Sequence, residues 1–190
     1  MFNKIRLWWK FDGQYMHKEF ARGVKNLWRW FPTIWKDRDW DGHYIYDLLR
    51  VKLEFQAKYI GDRDIHTEAK RDAERMRLVA RLIKLQQDDF YAMEYMDYET
   101  TNIWFEPCED RPNYSEMKSE TTEERLDQFF SKYPRQYKKA LSGELNRYRR
   151  SEVDPTDKRR LAMEISHENQ LRCKRLLFTI MHDHIGRWWD

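Results

Sequence analysis

Cysteine is scarce. Cys108 and Cys173 are the only two in 190 residues, too few for a disulfide framework or a zinc cluster, and a chain of this length needs neither to fold. The expected setting is intracellular. Glycine is nearly as sparse, six in all, so no glycine-rich phosphate loop can be drawn. Nowhere do eighteen apolar residues run together, which leaves no membrane span, and the opening MFNKIRLWWKFDGQYMHKEF lacks the continuous apolar stretch of a signal peptide. An excess of one charge is missing as well: 36 Lys and Arg stand against 33 Asp and Glu, a formal +3. That is far below the charge density of a protein that coats DNA by neutralising phosphates, so non-specific DNA binding is disfavoured. Catalytic signatures are absent too. There is no G-x-S-x-G, no H-E-x-x-H, and neither thiol has a local context that would activate it. The expectation is a non-catalytic protein with no cofactor and no metal.

What the chain does have is charge and rings. Apolar residues make up 41% and charged residues 36%, with a mean hydropathy of −1.03, which suits one folded domain over residues 1–190 with a strongly charged exterior. Aromatics reach 16%, with nine Trp. The runs RLWWKF, NLWRWFPTIW and RWWD interleave Trp with Arg and Lys. Rings alternating with cations can stack bases and hold phosphates, can anchor an amphipathic helix in a bilayer surface, or can fill the ends of a helical bundle.

Periodicity predicts helices throughout. Met16, Phe20, Val24 and Leu27 make an aromatic N-terminal helical region over 1–36, which Pro32 should end. A helical hairpin is expected over 40–99. Its first arm carries the stripe Ile45, Leu49, Leu53, Ala57 and Ile60 beside a second stripe Tyr44, Leu48, Val51, Phe55 and Tyr59, and Gly61 is its expected stop. Asp64 or Thr67 should cap the second arm. That arm is read as one rod of more than about 40 Å, with Ala69, Ala73, Met76, Ala80, Ile83 and Phe90 on its apolar face. Residues 100–121, with two prolines and the run NYSEMKSETT, read as an irregular loop with a short extended piece at NIWFEP. Short helices over 122–142 are separated by Pro134. A long C-terminal helix over 155–188 is capped by Asp154 or Thr156 and buries Leu161, Ile165, Asn169, Cys173, Leu176 and Ile180. The expected fold class is all-α: a bundle of three long antiparallel helices with shorter peripheral helices and one long irregular loop.

Two clusters invite a metal reading. DRDWDGHYIYDL, residues 37–48, places Asp37, Asp39, Asp41 and Gly42 as in the front half of a calcium loop, yet the closing bidentate glutamate position holds Leu48. First-turn acids that complement a helix dipole, with Asp39 or Asp41 as the cap, explain the cluster better. His182 and His184 stand two apart, about 200° around a helix, and cannot share one ion there. A metal-dependent hydrolase using the 37–43 acidic cluster with His43 remains an alternative.

The runs WFPTIWKDRDWD, QAKYIGDRDIHTEAKRDAERM, EYMDYE, LLFTIM and IGRWWD, spread over nearly the whole chain, resemble those of a group of small proteins encoded by tailed bacteriophages. The resemblance implies the cytoplasm of an infected bacterium as the place of work. It brings no activity with it, so no catalytic or binding residue is carried over. By analogy with small phage proteins that act on the host, it suggests a counter-defence role, either sequestering a nucleotide immune signal or blocking a host protein. The residues that would hold such a nucleotide are Trp35, Arg38, Trp40, Arg63, His66, Lys70 and Arg71, which combine rings with cations near helix N-termini. The competing partners are a host or phage protein, further copies of the chain, or a membrane surface contacted by the N-terminal aromatic helix.

Overall fold

The computed structural model describes residues 9, 13–36, 41–108, 110–111, 113–145 and 154–188. The chain forms two units, Met1–Leu49 and Arg50–Asp190. It is mostly helical, with one small two-stranded sheet.

In the first unit, a 3-10 turn Gly13–Tyr15 leads into α1, Met16–Ile34. Pro32 was expected to end this helix and instead lies inside its last turn. A proline there has no N–H to bond back and crowds the carbonyl one turn earlier, yet the next turn still closes through the Trp35 N–H to the Phe31 carbonyl at 2.9 Å. No residue of α1 is buried. The following helix, α2, runs His43–Arg63 and crosses the boundary between the units. Its start is tied by Asp41, whose Oδ1 accepts the His43 N–H at 2.8 Å. Asp37 and Asp39 lie outside the described residues.

Within the second unit α2 buries Leu53, Ala57 and Ile60, while Tyr59 of the second expected stripe is exposed. Gly61 does not stop the helix, which continues to Arg63 and ends where Asp64 turns left-handed at φ 49°. The glycine serves a close approach: a Cβ there would meet the Ala73 Cβ at 3.2 Å and the Arg77 Nη2 at 3.1 Å. Those neighbours belong to α3, Ala69–Gln87. Neither Asp64 nor Thr67 caps α3. Its N-cap is Glu68, which makes no side-chain cap bond, and Arg71 and Arg75 pair with the Glu68 carboxylate instead. The expected small-residue stripe is real, since Ala69, Ala73, Met76, Val79, Ala80 and Ile83 are all buried.

The long rod is not. α3 ends after 19 residues, roughly 28 Å, because Asp89 adopts φ 47°, a conformation that Asp tolerates better than most non-glycine residues. A single turn, α4 (Phe90–Met93), and a 3-10 segment, Glu94–Tyr98, follow in a new direction. The irregular loop expected next is a β-hairpin: β1 (Thr100–Pro107) pairs antiparallel with β2 (Ser115–Thr122), Phe105 opposite Met117 and Thr101 opposite Thr121. Eight paired positions satisfy the backbone without core packing, so the hairpin forms although every β1 residue is exposed. Two short helices, α5 (Leu126–Lys132) and α6 (Pro134–Leu141), meet at Tyr133, with Pro134 at the first position of α6.

The last helix, α7, spans Lys158–His184. Its cap is Asp157, whose Oδ1 accepts the Arg160 N–H at 3.0 Å. Asp154, one of the expected caps, closes a turn upstream by accepting from the Thr156 N–H at 2.8 Å. α7 packs against α3, α4, α5 and α6. Its buried face follows the expected stripe from Leu161 through Cys173 and then takes Leu177, leaving Leu176 exposed. Tyr95, Leu126, Phe129, Phe130, Ala140, Leu161, Ala162 and Ile165 form one core, with Phe130 stacked on Tyr137 at 4.2 Å between ring centres. Beyond α7, a 3-10 turn Ile185–Arg187 folds Trp188 into the interior, where its carbonyl accepts from the Gln56 side-chain amide of α2.

The close passage at Gly61 generates a stability prediction. Gly61→Leu should destabilise the protein by about 1–3 kcal/mol through overpacking against Ala73, read as a shift of the urea midpoint at unchanged slope.

Candidate functional site

The concavity that gathers the most diverse chemistry lies on the exposed side of the α3–α7 seam. Its volume is about 380 Å³, and it is lined by Leu82, Tyr91, Tyr133, Gln136, Asn169, Arg172, Cys173 and Leu176. Four of these residues belong to α7 at positions 169, 172, 173 and 176, a spacing that places them on one face of the helix. The left-handed break at Asp89 swings Tyr91 to one wall. The α5–α6 junction adds Tyr133 to the lining, and Gln136 follows on the first turn of α6. A second hollow of about 460 Å³ shares Gln136 and Arg172 and adds Arg135, Lys139, Leu145 and Glu168. The rim is therefore cationic. Glu168 pairs with Arg175 at 2.6 Å and Lys139 with Glu144 at 3.8 Å, while Arg172 forms no ion pair among the described residues.

Asn169 is 7% exposed and its Nδ2 finds no acceptor among the described residues; an unmet buried donor of this kind costs about 1–3 kcal/mol unless something supplies an acceptor. Tyr133 donates its hydroxyl proton to the buried Glu94 Oε2 at 2.7 Å, and Lys132 also donates to this carboxylate. Burial, then the bond to Glu94, pushes the Tyr133 phenol well above its ordinary range. The same carboxylate raises the Lys132 amine. Burial likewise raises the Cys173 thiol, which points at the Leu82 carbonyl at 3.7 Å. A protonated thiol and a neutral phenol are poor nucleophiles. The arrangement offers two ring walls, amides and a guanidinium, which suit recognition.

The residues expected from sequence lie elsewhere. Arg38 and Trp40 are outside the described residues. Trp35 follows α1 and rests against Phe31 at 5.2 Å between ring centres. Arg63 ends α2 with its guanidinium over the Tyr59 ring at 4.4 Å. Lys70 lies 3.8 Å from Asp64, Arg71 3.1 Å from Glu68, and His66 Nε2 3.9 Å from the buried Asp72. Arg75 joins Asp72 at 2.8 Å. The structure thus brings His66, Lys70 and Arg71 to one helix start, where each faces a neighbouring carboxylate. None of them lines the cleft. Among the described residues, no three His, Cys, Asp or Glu side chains converge as metal ligands would.

Sequence reasoning missed Tyr91, Tyr133, Gln136 and Arg172. One signal existed: Asn169 interrupts an otherwise apolar stripe on α7, and a buried amide in such a stripe needs a partner. No protein-family model, curated protein or solved structure matches the chain.

The Tyr133–Glu94 contact predicts an alkaline signature. Tyr133 holds its proton more tightly folded than unfolded, so its contribution is fully present below pH 10, its ordinary value, and is lost as pH rises above that. Tyr133→Phe should cost about 1–2 kcal/mol near neutral pH. It should also lose less stability than the parent chain between about pH 8 and about pH 11, measured by urea unfolding at both pH values.

Proposed function

We propose that this is a phage-encoded, non-catalytic binding protein that sequesters a nucleotide-type signal of host immunity in the cytoplasm of the infected bacterium. The resemblance of its sequence runs to small phage proteins supplies the setting. The single observation that carries the ligand class is the cleft whose lining combines the unmet Asn169 amide and the Arg172 guanidinium with the Tyr91 and Tyr133 rings. A flat base suits the ring walls, amides read a base edge, and a guanidinium suits a phosphate. The cleft volume falls in the range of about 300–1,000 Å³ usual for small-molecule sites. In this reading α2, α3 and α7 are the three long antiparallel helices of a bundle, and the shorter helices close the cleft on its open side.

A second reading, an adaptor or inhibitor that binds a host or phage protein, draws on the hairpin. Ile103, Phe105 and Met117 are exposed and share one of its faces by the pairing register.

Calorimetry with adenosine monophosphate, cyclic mono- and dinucleotides and ADP-ribose tests the nucleotide reading. At least one should bind, and Arg172→Ala should weaken it roughly 10- to 100-fold, as expected for losing charge-assisted hydrogen bonds. Absence of heat with every member of the panel, from folded protein, would refute the proposal.

A further inference from the structure

The helix α1 sorts its side chains onto two distinct faces. Phe20, Val24, Leu27, Trp28, Phe31 and Trp35 are all exposed, Trp28 to 81%. At 100° per residue they fall on one stripe about 100° wide. Trp28 lies nearly parallel to Phe31 (11°, centres 6.4 Å apart), and Phe31 is in turn 5.2 Å from Trp35, so the rings form a ladder along the axis. Lys18, Arg22, Lys25 and Arg29 fall on the opposite face, centred roughly 140° away. Glu19, paired with Arg22, is the only acidic residue of the helix.

This geometry discriminates among occupants. A nucleotide or RNA needs ring and cation on the same side to stack its base and hold its phosphate, and here they are on opposite sides. A coiled-coil seam needs a mostly aliphatic stripe for knobs-into-holes packing, whereas this one is mainly of large aromatic rings, with Gly23 and Pro32 inside the helix. A bilayer surface fits both faces at once. Trp and Phe rings enter the acyl boundary, and the lysines and arginines meet anionic headgroups. No helix among the described residues is long and apolar enough to cross a membrane, so α1 would lie in the surface plane. We infer that α1 docks the protein on an anionic bilayer surface, with the Phe20–Trp35 stripe inserted and Lys18, Arg22, Lys25 and Arg29 at headgroup level.

Flotation of the full chain with vesicles of phosphatidylethanolamine and phosphatidylglycerol, and separately of pure phosphatidylcholine, tests this. The protein should float with the anionic vesicles, its Trp emission should shift to the blue, and added salt should weaken the binding. Lys18→Glu with Lys25→Glu should weaken binding by roughly tenfold or more, and Phe20→Asp with Phe31→Asp should abolish it. All four positions are exposed, so circular dichroism should show the fold retained. Failure to float with the anionic vesicles would overturn the inference, as would undiminished binding of the Asp variant. So would a soluble dimer that this variant dissolves while the parent chain ignores both kinds of vesicle.

Discussion

The end of α3 is held by α7. Gln170 donates through Nε2 to the Gln86 carbonyl and to Asp89 Oδ1, each at 3.1 Å, so that a carbonyl left open where α3 stops is met from across the seam. The same amide grips the residue that turns left-handed. Three residues further along α7, the Cys173 thiol reaches the Leu82 carbonyl. As the α7 number rises the α3 number falls, which makes the two helices antiparallel. With that contact in place the strained backbone at Asp89 is compensated locally, and everything beyond it follows. The α4 turn packs on α7, Tyr91 becomes a wall of the cleft, and Glu94 is carried inward to Lys132 and Tyr133. Without Gln170, the local sequence would offer only the tolerance of Asp89 for that conformation.

This dependence explains what was legible beforehand. The buried stripes of α3 and α7 are written in three-and-four spacing, because a helix face that packs must be apolar wherever it packs. The break at Asp89 is not written there. QQDDF holds neither glycine nor proline, and the amide that stabilises the turn comes from residue 170, far along the chain. The exchange of Leu176 for Leu177 has a similar origin. A stripe extrapolated by fixed steps drifts around the helix, and only the neighbour decides which leucine it meets. The hairpin was hidden for another reason. Its strands are held by backbone pairing with solvent on both sides, so the polar stretch SEMKSETT carries no alternation to reveal β2.

The cleft was the least legible feature, since its walls come from α3, α4, the α5–α6 junction and α7. Burial and hydrogen bonding keep the protons on its phenol and its thiol. The Tyr133 proton is committed to Glu94, and the Cys173 thiol lies in an apolar seam that disfavours its anion. What stays available is the Asn169 amide and the Arg172 guanidinium, and both are donors. An acceptor-rich ligand would satisfy them, and a phosphate-bearing one would also suit the cationic rim of Arg135 and Lys139. The basic residues at the start of α3 are less suited to that task. An anion there would have to compete with Asp64, Glu68 and Asp72, already within 4 Å of Lys70, Arg71 and His66.

Among the described residues, two groups of rings that composition could not distinguish stand far apart in burial. Phe129, Phe130, Tyr137 and Trp188 hold the interior, where ring area removed from water stabilises the fold by the largest increments a side chain can supply. The α1 rings leave their area in water. An exposed stripe of this size is costly to solubility and draws chains together, so its retention calls for an occupant that covers it part of the time. The cations behind the stripe narrow the choice, because they add nothing to an aromatic contact on the far face unless the surface that receives the rings also extends negative charge around the helix. A lipid headgroup layer surrounds an embedded helix in that manner. A protein groove with a single acidic wall does not.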